Sequence, residues 1–286
     1  MKVDASVLIN KMLHIVLPKS TQGRWFKFVN IIPKRVRIIA VTIVMLALMT
    51  LSTFFSFGDS WLIFIIIIAL VSYLTTYIAV FEGIDGVEWL MLFIMPIIFA
   101  ISIYLFYSLL PVRWLTRIPF LGLFALGYYS ILLTQNILNV GVEKSIQLYR
   151  AAFSVNYLIQ TMIIFLFSMV LFSFRLNFLL NALLSIGIIF ISSLQLFWSV
   201  NLEKNITRNL LSLAGANSII MAELIILSSF VPLSINIAAL TVTAGYYGTS
   251  GILQNYIGER LFKNVIREYS FVLLFVLFVI ILTLQW

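Results

Sequence analysis

The sequence predicts an all-α fold: a polytopic helical transmembrane bundle of about nine spans behind an N-terminal cytoplasmic amphipathic segment. Three observations predict it. Hydrophobic residues make up 63% of the chain and charged residues only 10%, where a soluble domain carries about 25% charged. The apolar residues fall in runs of about 20, the length that crosses roughly 30 Å of hydrocarbon as a helix. Within each run the apolar character is continuous, without the period-2 alternation of a transmembrane β-barrel.

The same composition narrows the chemistry. The 286 residues include no cysteine and one histidine, which excludes disulfides, thiolate metal sites and cysteine nucleophiles. No HExxH, GxSxG, P-loop or GxGxxG pattern occurs, so neither an enzyme nor a cofactor or metal site is expected. The formal net charge is +8. In a membrane chain, basic residues collect on the cytoplasmic side against anionic lipid headgroups, so nucleic acid is not an expected partner.

Residues 1–35 read as a basic amphipathic segment lying on the cytoplasmic membrane surface. Val3, Val7, Leu8, Met12 and Ile15 recur at helical spacing, and Arg24, Trp25 and Lys27 interleave base with aromatic as the headgroup layer favours. With Lys34, Arg35 and Arg37 they form the expected lipid-surface set. A protein partner at the cytoplasmic face is the alternative use of this segment.

The spans then follow in order. The first is 36–57; residues 58–60 turn the chain into 61–81. A loop with Glu82, Asp85 and Glu88 precedes 89–110, which contains Pro96. Residues 118–133 form the fourth span, with Tyr128 and Tyr129 expected near its interfacial end. Residues 135–151 are too polar to span and read as an interfacial loop with a short helix from about Glu143. The fifth and sixth spans, 152–174 and 177–198, are joined by a tight turn at Arg175. The seventh is 209–231, ended by Pro232, and the eighth 235–257. The ninth, 271–286, has 16 residues and so about 24 Å of helix, which predicts a start before Phe271.

Orientation follows from counting bases. With residues 1–35 inside and all nine spans crossing, only Arg113, Arg117 and Arg175 lie outside, leaving fifteen of the 18 Lys and Arg inside. The positive-inside rule then predicts a multi-pass protein of the cytoplasmic membrane with its N-terminus in and its C-terminus out. The Asn205-Ile206-Thr207 sequon falls inside and reads as a chance match.

Glu223 is the residue whose position asks for a reason. It lies fifteen residues after Arg208, about 22 Å along a helix, inside an otherwise apolar run. A carboxylate at that depth must be paired, hydrated by a cavity or protonated. Ala214, Ser218 and Ala222 form a small-residue face on the same helix. Glu223 borders it and is expected to look into the bundle. Thr241, Thr243, Gly245 and Gly248 of the eighth span would border a pathway beside it and supply hydrogen bonds. Asn156 with Gln160, and Asn177 with Asn181, sit one turn apart, as amides that join helices do. Asn156 and Gln160 are also candidate functional residues.

From about residue 136 onward the chain resembles a family of multi-pass membrane proteins of small-genome, candidate-phylum bacteria. The residues that carry the resemblance are NILNV at 136–140, QLYRAAFSV at 147–155, SFRLNFLLNALL at 173–184, LQLFWSVNLE at 194–203, AEL at 222–224 and GERLFKNVIREY at 258–269. It implies a membrane protein and assigns no activity. Two functional expectations remain: a small-solute or ion permease built on Glu223, or a non-catalytic membrane scaffold or envelope assembly factor.

Overall fold

A computed structural model of the chain describes residues 33–55, 61–81, 84, 86–111, 113–140 and 146–283. These residues form nine helices and no strand. We label them α1 (Lys34–Ser52), α2 (Trp61–Val80), α3 (Glu88–Tyr107), α4 (Trp114–Val140), α5 (Ile146–Ser173), α6 (Phe178–Asn201), α7 (Arg208–Phe230), α8 (Ile235–Ile257) and α9 (Lys263–Thr283). All except α8 are both long and apolar enough to cross a membrane. α8 has the length, at 23 residues, but a more polar sequence. The protein is an integral, multi-pass membrane protein.

Several boundaries differ from the sequence reading. α1 ends at Ser52 rather than at residue 57, and α5 begins at Ile146 rather than at residue 152. α4 runs on to Val140, so the stretch read as a loop is helical from Gln135 to Val140. Gln135 and Asn139 look like loop residues in sequence, but both find partners inside the protein. Gln135 Nε2 donates to Asn156 Oδ1 at 3.3 Å, and Asn139 Nδ2 donates to the Val80 carbonyl at 3.2 Å. The longer helix also moves Tyr128 from an interfacial end to the middle, where it is fully buried and bonds Ser72 and Thr75. At the other end of the chain, α9 begins at Lys263, eight residues before Phe271 as its short apolar run demanded.

Contacts divide the chain into two compact units: Met1–Asn156 with Leu202–Arg208, and Tyr157–Asn201 with Asn209–Trp286. In the first unit α1–α4 pack as a four-helix group in which α4 touches α1, α2 and α3. Its core is aromatic. Phe99, Phe124 and Tyr128 stack in sequence at 5.9 and 5.7 Å between centroids. Gly127 leaves the room that the Phe99 ring fills. Gly86 adopts φ +56°, a conformation glycine reaches without Cβ strain, and sits against the Lys204 backbone.

In the second unit α8 is central. Its Gly245 faces Met221 and Leu224 of α7, its Gly248 faces Leu273 of α9, and its Tyr246 bonds Gln160 of α5. Ile164, Phe167, Leu171, Ile189, Met221, Ile225, Val242 and Tyr246 make the apolar core. This explains how a helix short of a span's apolar character lies among apolar helices: protein covers it and lipid need not. Arg175, at φ 49°, turns the chain between α5 and α6, and Asn177 Oδ1 accepts from the Leu179 amide as α6 begins.

Arg37 departs from its expected lipid-surface position. α1 begins at Lys34, so Arg37 already stands one turn inside the helix, on the face that carries Ile38 and Val41. It is buried, donates from Nη2 to the Ala79 carbonyl at 3.5 Å and lies over the Phe81 ring at 4.7 Å. Lys34 is half-buried and Arg35 exposed. Arg24, Trp25 and Lys27 lie outside the described residues, as does the amphipathic segment they belong to.

Candidate functional site

Two polar features within the second unit stand out from its apolar surroundings. One is buried and neutral; the other is exposed and carries the carboxyl group of Glu223.

The buried feature is a chain of amides and hydroxyls between α5, α6, α7 and α8. Tyr246 donates from its hydroxyl to Gln160 Oε1 at 3.0 Å. Gln160 donates from Nε2 to Gln195 Oε1 at 2.7 Å and to the Ser192 carbonyl at 3.0 Å. Asn217 Nδ2 donates to Ser193 Oγ at 2.8 Å, and Ser193 in turn lies beside the Tyr246 hydroxyl. Gln160, Gln195, Ser193, Asn217 and Tyr246 are all inaccessible to solvent. Burying an amide without a partner in hydrocarbon costs several kcal/mol, so these groups fix one another's rotamers and lock four helices in register. Asn217 Oδ1 and Ser192 Oγ keep unused capacity, with no hydrogen-bond partner among the described residues.

Gln160 was legible in the sequence as half of an amide pair. Both amides of that pair join helices, Gln160 to Gln195 of α6 and Asn156 to Gln135 of α4. The mates that matter, Gln195, Ser193, Asn217 and Tyr246, were missed. Their signal was there, as polar residues inside apolar runs, but nothing in one sequence says which runs meet.

Glu223 corrects an expectation. Ala214, Ser218 and Ala222 are buried, as the small-residue face requires, but Glu223 is exposed. One residue beyond Ala222 rotates the side chain about 100° round the helix, enough to leave the packed face. Its neighbours one turn away, Ile219 and Leu227, are 56% and 63% exposed. Among the described residues Glu223 has no hydrogen bond or ion pair. The α8 hydroxyls do not reach for it either. Thr241 Oγ1 donates to the Ile237 carbonyl and Thr243 Oγ1 to the Ala239 carbonyl, each within α8. Gly245 and Gly248 are sites of close helix approach. Among the described residues, the hydrogen bonds expected between Glu223 and α8 are therefore not formed.

Glu223 belongs instead to an exposed seam. Ser212, Ala216, Ile219, Glu223, Ile226 and Phe230 follow one another at alternating spacings of four and three; all are exposed except Ile226, which is half-buried. The position a Cβ would take on Gly215, beside this seam, meets no atom within 4 Å.

No cluster of three or more potential metal-ligating side chains occurs among the described residues. No family model, curated protein or solved structure matches the chain.

Proposed function

We propose that the protein is a non-catalytic membrane assembly component that associates laterally with another transmembrane helix through the Glu223 face of α7. One observation carries this reading: a carboxyl group stands on the exposed side of a spanning helix, flanked at one-turn distances by Ile219 and Leu227. A charged residue at the centre of a span costs about 3 kcal/mol or more when nothing relieves it. A partner helix that hydrogen-bonds the carboxyl removes that cost and gains packing against the small residues of the seam. The locked core of the second unit supports the same reading, because a rigid helix presents such a face in one orientation.

The test places a photo-reactive side chain at Ala216 or Ile219 of the full-length protein in its own membrane. The expected result is a defined protein adduct from both positions that disappears in a Glu223→Lys background. Adducts with lipid alone would overturn the reading.

A second reading draws on a different observation. Asn217 Oδ1 and Ser192 Oγ, unpartnered inside the buried network, are what a site for a small uncharged polar solute would offer. On this reading the protein is a permease whose recognition groups are neutral amides and hydroxyls. Proteoliposomes challenged with urea, glycerol and small amides would then swell selectively, and Gln160→Leu would abolish the selectivity. Equal swelling of protein-free and protein-loaded vesicles would dismiss it.

A further inference from the structure

We infer that the helix received by the Glu223 seam is the α7 of a second copy of this chain, giving a parallel two-fold dimer with Glu223 opposite Glu223. The inference rests on the lateral-association reading above and names its partner.

The spacing supplies the first argument. Ser212, Ala216, Ile219, Glu223, Ile226 and Phe230 keep a strict four-three alternation over 19 residues of one helix face. This is the a/d seam of a left-handed helix pair, in which equivalent positions of two helices meet layer by layer. The small residues Ser212, Gly215 and Ala216 at one end let the backbones approach closely, and Gly215 opens onto empty space. The bulky Ile219 and Ile226 would fill the layers on either side of Glu223, and Phe230 the layer beyond.

Symmetry supplies the second. Copies of one chain insert in the membrane the same way round. A two-fold axis between them runs along the membrane normal and places every residue at the same depth as its mate. A seam with its one ionisable group about two-thirds along α7 therefore meets the same group at the same depth. A carboxyl group is its own complement when it carries its proton, since it then offers one donor and one acceptor. Two such groups satisfy each other without any other residue. A heterologous partner would need a hydrogen-bonding group matched to this depth, which the homodimer supplies by symmetry alone. A single polar residue in an apolar a/d seam also fixes register and oligomeric state, because every other register leaves it unsatisfied.

The experiment exploits the absence of cysteine from the chain. Single cysteines are placed in the full-length protein at Ala216 and Ile219 in the seam, and at Leu274, 66% exposed on α9. The proteins are reconstituted in lipid at dilute protein and treated with a short bis-maleimide. The expected result is a band at twice 32.6 kDa for both seam positions and none for Leu274→Cys. In a Glu223→Gln background, whose amide also offers donor and acceptor, the band persists. In a Glu223→Ala background that melts like the parent, it falls at least about fivefold. Seam cysteines that cross-link no better than Leu274→Cys would overturn the dimer, and so would a band indifferent to Glu223→Ala. A seam adduct with a different protein, without the dimer band, would also overturn self-association while leaving lateral association standing.

Discussion

Arg117 Nη2 donates to the Thr53 carbonyl at 2.9 Å, joining the first turn of α4 to the residue that ends α1. The same guanidinium donates from Nε to the Tyr107 hydroxyl at 3.3 Å and lies over the rings of Phe54 and Trp114 at 4.4 and 5.0 Å. The last carbonyls of a helix have no partner inside it and carry the negative end of its dipole. A buried cation at that place satisfies a carbonyl and is itself stabilised. Arg37 repeats the device on another pair of helices, starting α1 and reaching the last turn of α2 at Ala79. In each case the base at the start of one helix closes the end of its neighbour.

Arg117→Ala should therefore destabilise the first unit by about 2–3 kcal/mol, combining a charge-assisted hydrogen bond with stacking on two rings. Arg117→Lys should recover less than half of that, since an ammonium cannot hold the fork or stack as a plane. Arg113→Ala, at an exposed position, should leave the melting temperature unchanged. Thermal melts in lipid nanodiscs check all three, and an Arg113 effect as large as that of Arg117 would count against the pinning.

The buried network yields a graded series. Tyr246→Phe removes the donor to Gln160 Oε1 and the hydroxyl beside Ser193, and should cost about 1 kcal/mol, in line with hydrogen bonds between membrane helices. Gln160→Leu removes the acceptor of the Tyr246 hydroxyl and the donor to Gln195 Oε1 and the Ser192 carbonyl together, and should cost about 2–3 kcal/mol. The double variant should be milder than the sum of the two, because the broken bond is shared. Chemical unfolding in mixed micelles measures the cycle. Strict additivity would mean that the two side chains do not interact.

The bundle class and the helix count were legible because lipid sets helix length, and length is written directly in the sequence. Which face of each helix looks inward was not. In water a helix has one apolar face and that face is buried. In a bilayer both faces are apolar, so the period that would mark the inner face is nearly erased. Ala222 and Glu223 show the consequence: the small-residue rule found the packed side correctly, and proximity then placed Glu223 on that side by one residue too many. Gln135 and Arg37 fail for the opposite reason. Polar character moved them to a loop and to a surface, whereas each is held by a hydrogen bond within the protein.

Glycines of α8 mark where helices touch, and they separate two outcomes. A Cβ on Gly248 would stand 2.9 Å from Leu273 Cδ1, and one on Gly251 would overlap the ring of Tyr269 and the hydroxyl of Tyr157. Gly248→Ala should be tolerated, because a leucine tip can shift. Gly251→Ala should loosen α9, since the Tyr157 hydroxyl is held by the Tyr247 carbonyl and the Tyr269 ring must move away. By contrast Gly122→Ala and Gly187→Ala, where nothing lies within 4 Å, should stabilise their helices by up to about 1 kcal/mol. Hydrogen exchange over residues 263–283 reports on α9 directly, and protection there unchanged by Gly251→Ala would refute the steric account.

The final prediction concerns α8, read as the eighth span although its sequence is less apolar than a typical span, and it should cross the membrane. It is long enough, with 23 residues giving about 34 Å. It is packed along its length rather than at one end: Gly245 against α7, and Gly248 and Gly251 against α9. The link from α7 is short, from Phe230 to Ile235. A helix lying flat on the surface could not make mid-helix contacts with two spanning neighbours. Crossing puts Glu259 on the same side as Asn209 and opposite Arg175, and the distribution of bases makes that shared side the cytoplasm. Single cysteines at these three positions, probed in sealed right-side-out vesicles with a membrane-impermeant maleimide, read the answer. Arg175→Cys should label in intact vesicles, whereas Asn209→Cys and Glu259→Cys should label only after permeabilisation. If Glu259→Cys labels together with Arg175→Cys, α8 does not cross, and α9 runs the other way through the membrane.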